Sequence, residues 1–347
     1  MGFINEIRTV IRKSSGDILV FYINEKRLFL REFIKNEGWN NEKQIINNVV
    51  DNQFNIQIDD EDNIYGIANI ENGKIVYIYT DENKDIKYKK LFDYNNEKYI
   101  LINPHVIKKK SNVYIIYYIQ DVRDTRIWAI FSHYFDGEKW SESSIDFIVS
   151  YPVVNPFFIN FSSDNLNIFY FNKVNEVEEI YLSRFNSLNK FWTEPEQLTS
   201  TNNKKIYLNV LQDDMNFYHI TWSEFVNENL VVKYMNGYLK DSFKSKSDVV
   251  SLSEKSNCSF PTLIKTGKTL WNVWTQMNKL YNCYSFDNGK TWSEVNLDNK
   301  SIDINFIRYK FRSNNIDDLK NFKLDTTFGT SYPKISFIGF ENIRKDG

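Results

Sequence analysis

A short apolar strand ending in a polar residue recurs along this 347-residue chain at nearly constant spacing, and no other feature limits the fold as strongly. The copies end at Asn24, Asn69, Gln120, Lys173, Glu224 and Gln276, separated by 45, 51, 53, 51 and 52 residues. They include Leu19-Val20-Phe21-Tyr22-Ile23-Asn24, Ile115-Ile116-Tyr117-Tyr118-Ile119-Gln120 and Trp271-Asn272-Val273-Trp274-Thr275-Gln276. Each copy follows another strand and a turn. Each precedes a third strand, such as Glu179-Ile180-Tyr181-Leu182-Ser183-Arg184, and then a weaker fourth one, often after a Trp.

Several short strands per unit, with turn residues between them, read as an all-β repeat. A four-stranded unit of about fifty residues is the size of one β-propeller blade. The continuous apolar runs suit strands that pack on both faces. The expectation is therefore an all-β fold, one β-propeller domain over residues 1–347. Its six four-stranded blades fall near 3–50, 51–101, 102–152, 153–204, 205–256 and 257–300. Ile304 to Phe311 and Ile335 to Phe340 look like strands, but the stretch between them does not match the repeat. Residues 301–347 are thus either a closing segment or a degenerate seventh blade. A set of sandwich domains is the competing architecture.

Composition agrees. Hydrophobic residues make up 42% and charged residues 25% of the chain, the balance of a globular protein. Aromatics reach 16%, with 22 Tyr and 27 Phe, and such side chains fit a pleated, half-buried surface. A net charge of -2 gives no electrostatic reason to expect nucleic acid or an acidic membrane as partner. Cys258 and Cys283 are too few for a disulfide framework and are expected as free, buried thiols. No segment has the length and apolarity of a membrane span. Met1 to Lys13 carries charges at Glu6, Arg8, Arg12 and Lys13 where a secretory signal would be apolar, so cytoplasmic synthesis is expected. The charged end Arg344-Lys345-Asp346-Gly347 suggests a natural protein that continues, as in a spore, phage or envelope layer.

Ser285-Phe286-Asp287-Asn288-Gly289-Lys290-Thr291-Trp292 fits the pattern S-x-D-x-G-x-T-W. A short acidic side chain can accept backbone N–H groups within a tight turn. Gly289 supplies a positive φ, and Trp292 folds back onto the sheet. Partial copies lie at Gly137 before Trp140, Asn189 before Trp192 and Asn36 before Trp39. The motif resembles the Asp-box (BNR repeat) of the sialidase-like propeller superfamily. That resemblance implies a structural turn on the outer rim, formed here by Ser285, Asp287, Gly289, Thr291 and Trp292.

The resemblance would also imply sialidase chemistry, with three arginines gripping a carboxylate. Arg8 could supply the first, but no arginine lies between Arg184 and Arg308, so the triad cannot be assembled as in that family. His105, His133 and His219 lack metal-ligand spacing, so no metal, cofactor or catalytic residue is assigned. The reading leans away from an enzyme and toward a binding or scaffold module for glycans or a protein partner. Asn24, Asn69, Gln120, Lys173, Glu224 and Gln276 end equivalent strands and are expected to form a polar ring. Trp222, Trp274 and Tyr118 stand two residues earlier, on the same side as the ring residues. The bland reading makes those aromatics core. Two alternatives stay open: a glycosidase using channel carboxylates, with Glu224 paired to Asp121 or Glu25, and a structural component of a larger assembly.

Overall fold

The computed structural model of the protein describes residues 2–149, 152, 155–162, 165–213, 216–245 and 247–340. The charged end from Arg344 to Gly347 lies outside the described residues. Strands dominate throughout. The helices among the described residues, Lys300–Asp303 and Ile316–Asn321, are short, and none is long and apolar enough to cross a membrane.

The chain divides into two compact units. One comprises residues 7–153 and 312–316. Its first sheet is built on Ile18–Asn24 and Arg27–Ile34, with Thr9 to Arg12 paired to the former and Gly38–Trp39 and Lys43–Ile46 to the latter. Two four-stranded antiparallel meanders follow. The first runs Val49–Ile58, Ile64–Ile70, Lys74–Thr80 and Ile86–Asp93; the second runs Tyr99–Lys109, Asn112–Asp121, Trp128–Phe135 and Trp140–Ile148.

The other unit comprises residues 1–6, 154–311 and 317–347. It holds meanders on Asn165–Val174 and Val177–Asn186, on Phe217–Val226 and Asn229–Leu239, and on Thr269–Gln276 and Lys279–Ser285. Within this unit Phe306 to Lys310 pairs antiparallel with Thr326–Thr330, which in turn pairs with Phe337–Ile338. The strand Thr326–Thr330 has no counterpart among the sequence expectations.

The recurring strands are central in their sheets, and the packing explains their composition. Within each unit, neighbouring sheets stack face to face. One cluster joins Phe21, Leu28, Ile56 and Ile78, another Tyr65, Ile67, Ile115 and Tyr117, a third Phe169, Phe171, Trp222 and Met235. A strand covered on both faces gains nothing from alternation, so Ile64 to Asn69 and Phe217 to Glu224 are buried at every position. Each large side chain enclosed this way contributes about 1.5–3 kcal/mol. In four of the sheets the third strand is reached through a two-residue hairpin whose central residues both have positive φ: Glu25-Lys26, Asn175-Glu176, Asn227-Glu228 and Met277-Asn278. That backbone twist matches the twist of paired strands.

The first strand of a meander often carries a bulge. Register shifts occur between Val49 and Phe54, Ile102 and His105, Ile206 and Asn209, and Ser259 and Thr262. At each shift sits a left-handed residue: Asn52, Asn103, Tyr207 or Phe260. Asn tolerates that region, whereas a bulky aromatic does so at a cost of about 1–3 kcal/mol.

Candidate functional site

The polar strand ends expected to form a ring lie in dissimilar surroundings. Asn24 is exposed beside its hairpin. Gln120 is buried and reaches the Ile127 carbonyl at 3.5 Å, and Lys173 lies 3.7 Å from Glu178. Gln276 accepts from the Cys258 thiol at 3.5 Å; both cysteines are free and buried, and burial pushes both thiols up. Tyr118, Trp222 and Trp274 are fully buried, so they offer no face to a ligand.

Glu224 is 1% exposed, and donors surround it: Trp222 Nε1 at 3.0 Å, Thr201 Oγ1 at 2.9 Å and Asn203 Nδ2 at 3.1 Å. Its register partner Lys205, whose side chain is fully buried, donates to Glu179 at 2.8 Å and to the carbonyls of Glu178 and Asn203. Glu179 also accepts from Thr199, Thr201 and Asn202. A network satisfied this fully acts as an internal strut. The carboxylates suggested as partners for Glu224 are engaged elsewhere, Asp121 with Arg123 and Glu25 with Arg27.

The Ser285–Trp292 turn forms as its spacing requires. Asp287 accepts from the backbone N–H groups of Lys290 and Thr291 at 3.1 and 2.8 Å and from Thr291 Oγ1 at 2.6 Å, which holds its carboxyl down to about 2. Ser285 Oγ accepts from the Gly289 N–H, and Trp292 packs edge-on against Tyr234. Gly289 has φ +84°, and a Cβ there would meet the Tyr234 hydroxyl. In the partial copies, Asp136 Oδ1 accepts from Glu138 and Lys139, and Asn186 Oδ1 from Leu188 and Asn189. At the second of these the left-handed residue is Lys190, not Asn189.

In the unit of residues 7–153, an open groove of about 430 Å³ is lined by Phe92, Tyr94, Tyr117, Phe131, His133, Trp140 and Glu142, with Asp93 at its edge. Strand geometry builds it. His133 and Glu142 face each other across paired strands, as do Tyr117 and Phe131. Side chains on the same face of a sheet must meet.

Tyr117 Oη lies 2.8 Å from His133 Nε2, and His133 Nδ1 lies 3.1 Å from Glu142 Oε1. With Nδ1–H donating to Glu142, Nε2 accepts from the phenol, the tautomer the network selects. Burial raises the Tyr117 phenol far above its ordinary value and lowers His133 against the pull of Glu142, so both are neutral near pH 7. Phe92 and Phe131 pack on the imidazole at 5.3 and 5.4 Å. Asn69 sets Tyr94: its Nδ2 donates to the phenol at 3.0 Å, its Oδ1 accepts at 3.1 Å, and Nδ2 is also anchored on the Leu101 carbonyl. Trp140, 48% exposed, packs tilted against Phe135 at 5.1 Å between ring centroids. The groove is thus an aromatic wall with a neutral hydrogen-bonding floor and two exposed carboxylates, Glu142 and Asp93.

No protein-family model matches the chain, and no curated protein matches it. Solved structures do share the fold. The α-L-arabinofuranosidase Arb93A from Fusarium graminearum, in complex with an iminosugar inhibitor, is 12% identical, with a TM-score of 0.52 over 84% of this chain and 91% of that one. The polysaccharide lyase Uly1 is 8% identical, with a TM-score of 0.53 over 84% and 81%. A protein from Lactobacillus plantarum is 7% identical, with a TM-score of 0.50 over 83% of each chain. The fold and its stacked meanders define the class: this chain is an all-β protein of the β-propeller kind. At these identities the likeness shows the fold alone.

Proposed function

We propose that the protein is a carbohydrate-binding β-propeller that holds its ligand without cleaving it, with the saccharide in the groove of Tyr117, His133, Trp140 and Glu142. The observation that carries this reading is the neutral Tyr117–His133 pair under an exposed Trp140. A sugar ring presents an apolar face to an aromatic and hydroxyls to a mixed donor and acceptor floor. Catalysis fits less well. Glycoside hydrolysis uses two carboxyl groups across the scissile bond. In the groove Glu142 is tied to His133, and Asp93 to Lys90 at 2.7 Å. Elsewhere Glu179 and Glu224 are sealed among their donors. The solved relatives that act on saccharides support carbohydrate as the ligand class for this scaffold, though fold alone does not assign function.

The Ser285–Trp292 turn supports placing the chain with the Asp-box propellers, and the recurring meanders support six blades with residues 301–347 as the closing segment. The test is a glycan array with the purified protein, run beside sialidase and general glycosidase assays on the same sample. Binding without turnover is expected. Turnover, or an array without hits, overturns the reading.

A further inference from the structure

Arg308, in the unit of residues 154–311, is a cation without an anion. Its guanidinium stacks over the Phe260 ring, with Cζ 3.8 Å from the centroid, and Nη2 donates to Asn5 Oδ1 at 3.1 Å. Nε is shut off from solvent and has no hydrogen-bond partner, and among the described residues no carboxylate pairs with the side chain. Burial lowers its pKa to about 10, the mark of a charge held in a poorly solvated place. A charge placed so is unfavourable unless something pairs with it.

The neighbouring backbone is also under strain. Phe260 and Tyr207 have φ of +55° and +61°, and their rings lie 4.1 Å apart. The Asn155 side chain accepts from the Tyr207 N–H at 2.9 Å and helps hold that conformation. The bulges that recur in the first strands thus bring these two aromatic rings together, with Phe260 against the unpaired cation.

We propose that Arg308, Phe260 and Tyr207 form a receptor for the carboxylate of an acidic saccharide. Phe260 covers one face of the guanidinium and Nε is shut off from solvent, so a two-oxygen acceptor would meet the terminal N–H groups that Asn5 does not use. A single guanidinium matches a monoanion better than a phosphate dianion. Tyr207, partly exposed, offers a flat surface for the sugar body. This site goes beyond the groove reading and shares no residue with it.

The test measures binding of glucuronate, glucose and glucose 6-phosphate to the wild-type protein and to Arg308→Met and Arg308→Lys, with melting temperatures of each without ligand. Glucuronate is expected to bind at least about tenfold tighter than glucose, and glucose 6-phosphate more weakly than glucuronate. Arg308→Met should abolish that preference, and Arg308→Lys should reduce it by losing the fork. Without ligand, Arg308→Met should melt at or above the wild type, because it removes an uncompensated charge. Equal affinity for glucuronate and glucose overturns the proposal. So does a preference that survives in Arg308→Met, or an unliganded Arg308→Met that melts well below the wild type.

Discussion

Tyr117 donates its phenolic proton to His133 Nε2 across 2.8 Å, and this bond couples the core between two sheets to the floor of an open groove. The phenylalanine variant keeps the ring packing and removes only the hydroxyl. Tyr117→Phe leaves Nε2 without its donor and should cost about 1–3 kcal/mol of stability. Urea unfolding checks this; an unchanged midpoint would mean that the bond carries no weight.

Acid should destabilise the protein through its buried histidines. His219 is fully enclosed, 2.6 Å from the Tyr234 hydroxyl and 3.8 Å from Asp213, and burial together with Lys265 lowers its pKa despite Asp213. The unfolded chain takes up the proton near 6.5, where the folded one does not. Stability is therefore full above that value and is lost as pH falls below it toward the lowered value. His133 acts in the same direction. Melting temperatures between pH 8 and 5 should decline, and His219→Gln should flatten the decline.

Lys205 neutralises the Glu179 side of a sealed network. Lys205→Met strands that carboxylate and should cost about 3–5 kcal/mol, read from the urea midpoint. A loss below about 1 kcal/mol would show that water or rearrangement replaces the lysine.

Gly289→Ala tests the turn. The new Cβ would clash with the Tyr234 hydroxyl on a left-handed backbone, and Tyr234 in turn holds His219. A loss above about 2 kcal/mol is expected by chemical denaturation. A neutral outcome would mean that Tyr234 moves freely.

The all-β architecture was legible in the sequence because stacking buries both faces of each central strand. Six apolar runs at constant spacing, from Leu19 to Gln276, each fall within a strand. The turn at Asp287 was legible for a similar reason, since its hydrogen bonds are local. The groove was not. Tyr117, His133 and Glu142 come from three different strands, and the register between those strands brings their side chains together, while Tyr94 follows the end of the strand Ile86–Asp93. Asn69 was singled out as a strand end, yet its contact with Tyr94 depends on the neighbouring hairpin. The bulges at Tyr207 and Phe260 leave no signal either, because aromatic residues ordinarily avoid positive φ.

The most direct measurement is a binding isotherm for the best glycan on the array, taken with the wild-type protein and Trp140→Ala, with the recovered glycan checked for cleavage. Trp140 is exposed enough that its removal should alter stability by less than about 1 kcal/mol. The account predicts affinity lower by on the order of tenfold and an intact glycan. Undiminished affinity in the folded variant, or a cleaved glycan from the wild type, would contradict it.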